Sequence, residues 1–208
     1  MIEGVIFYWF SWIFWVLITF FMKKSRRRTY LSFWGLLSIV CSNIYVKFYI
    51  FDIHVTLIIV WFGSFILLLT RETILYHFFA SFTCMIGYTS ILIWEHQAPV
   101  WVFGPRLIIL SVISMLLVTF VATDFFNQCT IALIGMCTGE VLFNILLGNY
   151  YIQDVIGKMA FFDHLYTTLF LLIIVHSYRV VKQWLMNNGY VYQTSDRVHP
   201  VHRMVKRL

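Results

Sequence analysis

Charge is what this chain has least of. Asp, Glu, Lys and Arg make up 12% of its 208 residues, where soluble domains carry roughly 25%. That excludes an ordinary water-soluble domain. Proline is also scarce, at 3 residues, so little interrupts helix formation in the apolar stretches. The 4 cysteines, Cys41, Cys84, Cys129 and Cys137, each lie in an apolar stretch without C-x-x-C or His-rich ligand spacing. They read as small buried residues, and neither a disulfide nor a bound metal is expected from them. Several catalytic signatures are missing as well. There is no H-E-x-x-H and no glycine-rich phosphate loop, and Ser64 in "WFGSF" lacks the second glycine of a nucleophile elbow. His199 and His202 in "HPVH" flank Pro200, which argues against a helical metal site and for a solvated basic tail. The expectation is of no enzyme activity, no cofactor and no metal.

What the chain has in quantity is apolar surface. It is 61% hydrophobic and 20% aromatic, with a mean hydropathy of +0.83. A membrane-crossing helix needs about 20 mostly apolar residues. Seven candidate segments qualify, at approximately 5–22, 30–46, 54–70, 73–94, 106–121, 125–147 and 159–180. The first is not a signal peptide, because its positive charges follow the apolar run, as "KKSRRR" at Lys23 to Arg28. That order predicts an uncleaved anchor with its N-terminus outside. Alternating seven crossings then places Lys23, Lys24, Arg26, Arg27, Arg28 and Arg71 inside, together with Arg179, Lys182, Arg197, Arg203, Lys206 and Arg207. Only Lys47, Arg106 and Lys158 fall outside. This asymmetry is the positive-inside pattern. It makes the net charge of +6 a topology signal and sets a nucleic-acid partner aside. The expected fold is all-α: a polytopic transmembrane bundle over 1–185 and a short basic cytoplasmic tail over 186–208. An apolar linker, "VKFYIFDI", is expected between the second and third crossings. The loop "EHQAPVWVFGPR" at 95–106 is expected to lie along the interface, with a re-entrant path as the alternative.

The opening "EGVIFYWFSWIFWVLITFFMKK" (Glu3 to Lys24), the "PVWVFGPR" at 99–106 and "GMCTGEVLFN" at 135–144 together resemble the YphA-type membrane proteins. These are small polytopic inner-membrane proteins of Bacillus-like endospore-forming bacteria. The likeness covers most of the chain. It implies a plasma-membrane location and a link to spore-forming physiology. It transfers no functional residues, because the family carries no established biochemical activity.

Ionisable groups inside a bilayer need a partner or a purpose. Glu140 and Asn144 sit four residues apart in the sixth segment and therefore share a helix face. Asp163 and His164 in "FFDHLYTT" open the seventh segment and should lie at matching depth. Consecutive segments joined by a short loop usually pack together, so these four could share one outward-facing polar pocket. Three roles remain open for them: packing glue, a water-filled site for a proton, cation or small solute, or an intramembrane active site. Ala132, Gly135 and Gly139 form a small-residue seam on the same segment that lets another backbone approach closely. Its partner could be another segment or a second copy.

The expected function is a non-enzymatic accessory or structural component of the plasma membrane, with transport or sensing around Glu140 as the alternative. The expected partners are the lipid bilayer, anionic lipid headgroups at the basic loop and tail, and other membrane proteins.

Overall fold

Seven helices and one β-hairpin make up the described part of the chain. The computed structural model describes residues 4–48, 51–70, 73–97, 105–148 and 155–205, with backbone alone for Phe48 and 187–205. The helices are α1 (Val5–Phe21), α2 (Arg26–Val40), α3 (Val55–Leu69), α4 (Ile74–Gln97), α5 (Arg106–Val121), α6 (Phe125–Gly148) and α7 (Met159–Val205). Three stretches are long and apolar enough to cross a membrane: α4, α6 and Met159–Met186 of α7. Helices α1, α3 and α5 are apolar but shorter. The loop containing Trp101 and Phe103 lies outside the described residues.

One correction falls on the stretch after α2. The apolar linker expected before the third crossing is instead a hairpin of β1 (Tyr45–Phe48) and β2 (Phe51–His54). Tyr45 pairs with His54, Val46 with Ile53, Lys47 with Asp52 and Phe48 with Phe51. The fold is therefore not strictly all-α. The physical reason is visible in "IYVKFYIFDIHV" (Ile44 to Val55), which is dense in the β-branched and aromatic residues that favour strands. Helix α2 also starts earlier than expected. Ser25 caps it by accepting the Arg28 N–H at 3.2 Å, which draws the three arginines into the first turn.

Residues 1–172 form one compact unit, and α6 is its central helix. Its buried residues run from Gln128 through Asn144, around all sides of the helix. Its Met136 packs in a core with Phe7, Leu57, Val60, Tyr88, Phe162 and Leu165. A second cluster joins Ala80, Cys84, Val118, Ile131, Ala132 and Leu172. Residues 173–208 form the other unit. The helix there continues through residue 185 and through Pro200. Proline removes one helical hydrogen bond and commonly kinks a helix without ending it.

Helix α2 is held by polar contacts on both sides. Toward α1, the Tyr8 hydroxyl meets Ser42 Oγ, just past the end of α2, at 2.6 Å, and Thr19 Oγ1 meets Ser32 Oγ at 2.9 Å. Toward α3, Trp34 Nε1–H donates to the Ile59 C=O at 2.9 Å, and the Tyr30 hydroxyl donates to the Gly63 C=O at 3.2 Å. Gly63 makes room for the indole: a Cβ there would lie 2.1 Å from Trp34 Nε1. Gly63→Ala should therefore lower stability by about 1–3 kcal/mol, the usual cost of overpacking. Thermal unfolding in detergent micelles should show it, and Trp34→Phe in the same background should recover part of the loss.

Candidate functional site

The four polar residues singled out from sequence all lie in residues 1–172, and all are buried. Two of them, Glu140 and Asn144, are joined by a hydrogen bond. On α6, Asn144 Nδ2–H donates to the Glu140 backbone C=O at 2.8 Å and to Glu140 Oε1 at 3.3 Å. The shared helix face produces this pair directly.

Asp163 is committed elsewhere. Its Oδ2 accepts the Gly4 N–H at 2.7 Å and its Oδ1 accepts the Phe7 N–H at 2.8 Å. Gly4 is the N-cap of α1 and no side chain of that helix caps it. Phe7 is the third helical residue. A capping box satisfies these same two positions from within a helix, and here one carboxylate from α7 satisfies both. The negative charge also complements the positive end of the α1 dipole. Gly4 suits the arrangement because its φ of 87° lies in the left-handed region, open to glycine without a steric cost.

His164 bonds into the junction of α5 and α7. Its C=O accepts the Ser111 and Thr168 hydroxyls at 3.3 and 2.9 Å. Its Nε2 has no hydrogen-bond partner. Arg106 forms an ion pair with Glu95.

The small residues of α6 face α4 of the same chain. A Cβ on Gly135 would stand 2.7 Å from Cys84 Cβ, and one on Gly139 would stand 2.8 Å from Tyr88 Cδ1 and 3.2 Å from the Met85 C=O. Ala132 packs in the cluster with Ala80 and Cys84. The Thr89 hydroxyl bridges the seam, reaching the Met85 C=O at 2.8 Å and the Gly139 C=O at 3.1 Å.

Two residues at this end take structural roles. His54 is fully buried and caps α3, its Nδ1 accepting the Thr56 N–H at 3.3 Å. Ile156 runs beside β2, where the His54 N–H donates to its C=O at 3.0 Å and its own N–H donates to the Asp52 C=O at 2.9 Å. Gly157 then turns the chain into α7 with a φ of 77°. The sequence signal for the Asp163 cap was faint. "MIEGVIF" (Met1 to Phe7) begins a helix with no Ser, Thr, Asp or Asn immediately before it, which leaves its N–H groups to be met from elsewhere. Among the described residues, no group of three or more His, Cys, Asp or Glu side chains could hold a metal ion.

The profile of the YphA-like integral membrane proteins matches residues 3–197, nearly the whole chain and every element of the bundle. The chain belongs to that family. A similar relative is the protein "Uncharacterized protein YphA" of Bacillus subtilis (strain 168). It is 26% identical over 164 residues, covering 76% of this chain and 77% of the relative. No solved structure matches. Membership agrees with the resemblance carried by "GMCTGEVLFN" and the aromatic first helix, and it makes the protein an integral membrane protein.

The Asp163 geometry changes what a conservative substitution means. Both carboxylate oxygens accept backbone N–H groups, and an asparagine offers only one acceptor. Asp163→Asn should therefore cost about 1–3 kcal/mol by leaving one buried N–H unpaired, and Asp163→Ala about twice that. Chemical or thermal unfolding of the purified variants would measure both. Equal stability of wild type and Asp163→Ala would contradict the cap.

Proposed function

We propose that this protein is a non-enzymatic structural or accessory component of the bacterial cytoplasmic membrane. It crosses seven times, with the N-terminus outside and the C-terminus inside, and works by presenting a rigid bundle to other membrane proteins. The observation that carries this reading is the use made of Asp163. A buried carboxylate at the start of a crossing helix would be the first choice for a proton or cation ligand, and both its oxygens are occupied in capping α1. Asn144 likewise turns back onto its own helix. Seven crossings and this orientation are supported by the basic residues, which collect on one side of the threading. The basic loop and tail would hold that side against anionic headgroups.

A second reading has its own support. The His164 Nε2 is buried without a hydrogen-bond partner, and Glu140 is buried on α6. A proton, cation or small-solute site centred on Glu140 would use these groups.

Glu140→Gln separates the two readings because it keeps the size and the Asn144 acceptor while removing the charge. A structural component should retain wild-type stability and in-cell phenotype with Glu140→Gln. Loss of phenotype at unchanged expression and melting temperature would favour the transport or sensing reading. Single-cysteine labelling at Glu3 and Leu208 should react from opposite faces of the membrane; labelling from the same face would rule out seven crossings.

A further inference from the structure

Helices α2 and α3 are too short to cross a bilayer unaided. α2 has 15 residues, and the first three are Arg26, Arg27 and Arg28. The remainder spans about 18 Å at 1.5 Å per residue, against about 30 Å of hydrocarbon. The hairpin joins the far ends of both helices, and its four-residue strands supply about 13 Å more. Ile44, Tyr45 and Val46 are each about half exposed, which presents an apolar strand surface at that end of the bundle.

The hairpin has one closed edge and one open edge. The Val55 N–H donates to the Ile44 C=O at 3.0 Å, and Val46 pairs with Ile53. Hydrogen-bonded pairs alternate along an antiparallel ladder. Ile44 and Val46 therefore bond inward to α3 and β2, while Tyr45 and Lys47 point their N–H and C=O groups away. On the β2 side the same alternation turns Asp52 and His54 outward, and Ile156 meets both. On the β1 side no strand follows among the described residues. An unpaired strand edge is costly where the surroundings are lipid.

We propose that β1 pairs with β1 of a second copy of this chain, antiparallel, about a twofold axis through Val46. This register matches each outward group to another. Tyr45 exchanges N–H···O=C bonds with Lys47 of the second copy, and Lys47 with its Tyr45, giving four new hydrogen bonds. A shift that opposes the two Lys47 side chains would set like charges face to face, which destabilises a strand pair. The Val46-centred register instead lays each ammonium beside a tyrosine ring, a favourable cation–π arrangement. Asp52, Lys47, then Tyr45 and His54 of the second copy form one continuous row, in which acid, base and aromatic groups alternate. The interface is isologous and closes as a dimer. It rests on the seven-crossing reading only for the depth of the hairpin.

Disulfide trapping tests the register. Residues at a non-hydrogen-bonded antiparallel pair sit about 4.5 Å apart at Cα, within disulfide reach. Val46→Cys in a Cys41→Ser background, oxidised with copper phenanthroline in native membranes, should give mostly covalent dimer. Trp94→Cys, an exposed position at the same end of the bundle, should give at least tenfold less. Adding Lys47→Pro removes one outward N–H without touching the β1–β2 ladder and should reduce the Val46 cross-link severalfold. The pairing is overturned if Val46→Cys cross-links no better than Trp94→Cys, or if Lys47→Pro leaves the yield unchanged. Should Lys47→Pro not fold, the comparison of Val46 with Trp94 decides alone. Terminal labels on opposite faces with no Val46 cross-link would reject the pairing and keep the crossings; labels on one face with a strong cross-link would do the reverse.

Discussion

In lipid, a backbone N–H or C=O left outside a helix has no water to turn to, and the contacts made by the start of α7 answer that constraint. Asp163 is the clearest answer. It reaches from α7 to the first turn of α1, joining residues 159 and 156 positions apart in sequence. Its two oxygens fit the N-cap and third-residue N–H groups of a helix that brings no cap of its own. Ile156 does the equivalent for β2, and the turn at Gly157 carries the chain from one task to the other within a few residues. The start of α7 thus ties α1 and the hairpin to the bundle. A membrane protein with few charges spends them where helix ends and strand edges would otherwise be bare.

The other organising constraint is close approach along α6. Gly135 and Gly139 let α4 come near enough that a Cβ at either position would overlap Cys84 or Tyr88. The gain is in dispersion and in the Thr89 bridge to the Gly139 C=O, since lipid supplies little hydrophobic drive between crossing helices. Gly63 performs the same office for Trp34 on the other side of the bundle. In both places the small residue matters for the large one it admits. The hydrogen bond that follows, Trp34 Nε1–H to the Ile59 C=O, would be sterically unavailable to a bulkier residue at 63.

Much of this was legible in the sequence, for identifiable reasons. Long apolar runs bounded by basic loops locate membrane helices because the periodicity and the charge asymmetry are properties of residues near one another. The small-x-x-x-small spacing of Gly135 and Gly139 is equally local, and so is the Glu140–Asn144 pair. The hairpin was hidden because a short apolar strand and a piece of apolar helix look alike by hydropathy, and only the β-branched and aromatic content of residues 44–55 separated them. The Asp163 cap was hidden for a different reason. Its partners are backbone groups, which leave no mark in sequence, on a helix at the opposite end of the chain. Sequence placed Asp163 beside His164 and at the depth of Glu140, which made a shared pocket the natural expectation. The structure gives Asp163 the Gly4 and Phe7 N–H groups and joins Glu140 to Asn144.

That difference bears on how buried polar residues in membrane proteins should be read. Rarity and cost make an intramembrane carboxylate a functional hypothesis by default, yet the argument holds only when the carboxylate has nothing else to satisfy. A helix that begins inside the protein without a capping side chain creates a demand of its own, and a carboxylate brought by a distant segment meets it with charge as well as geometry. Counting uncapped helix ends before counting candidate ligands therefore changes the prior for each acid. For Asp163 the count moves it from ligand to cap. Glu140 lies in mid-helix and accepts the Asn144 amide; an amide oxygen would accept that bond equally well, and this is why the charge at that single position is the one that separates a scaffold from a transporter.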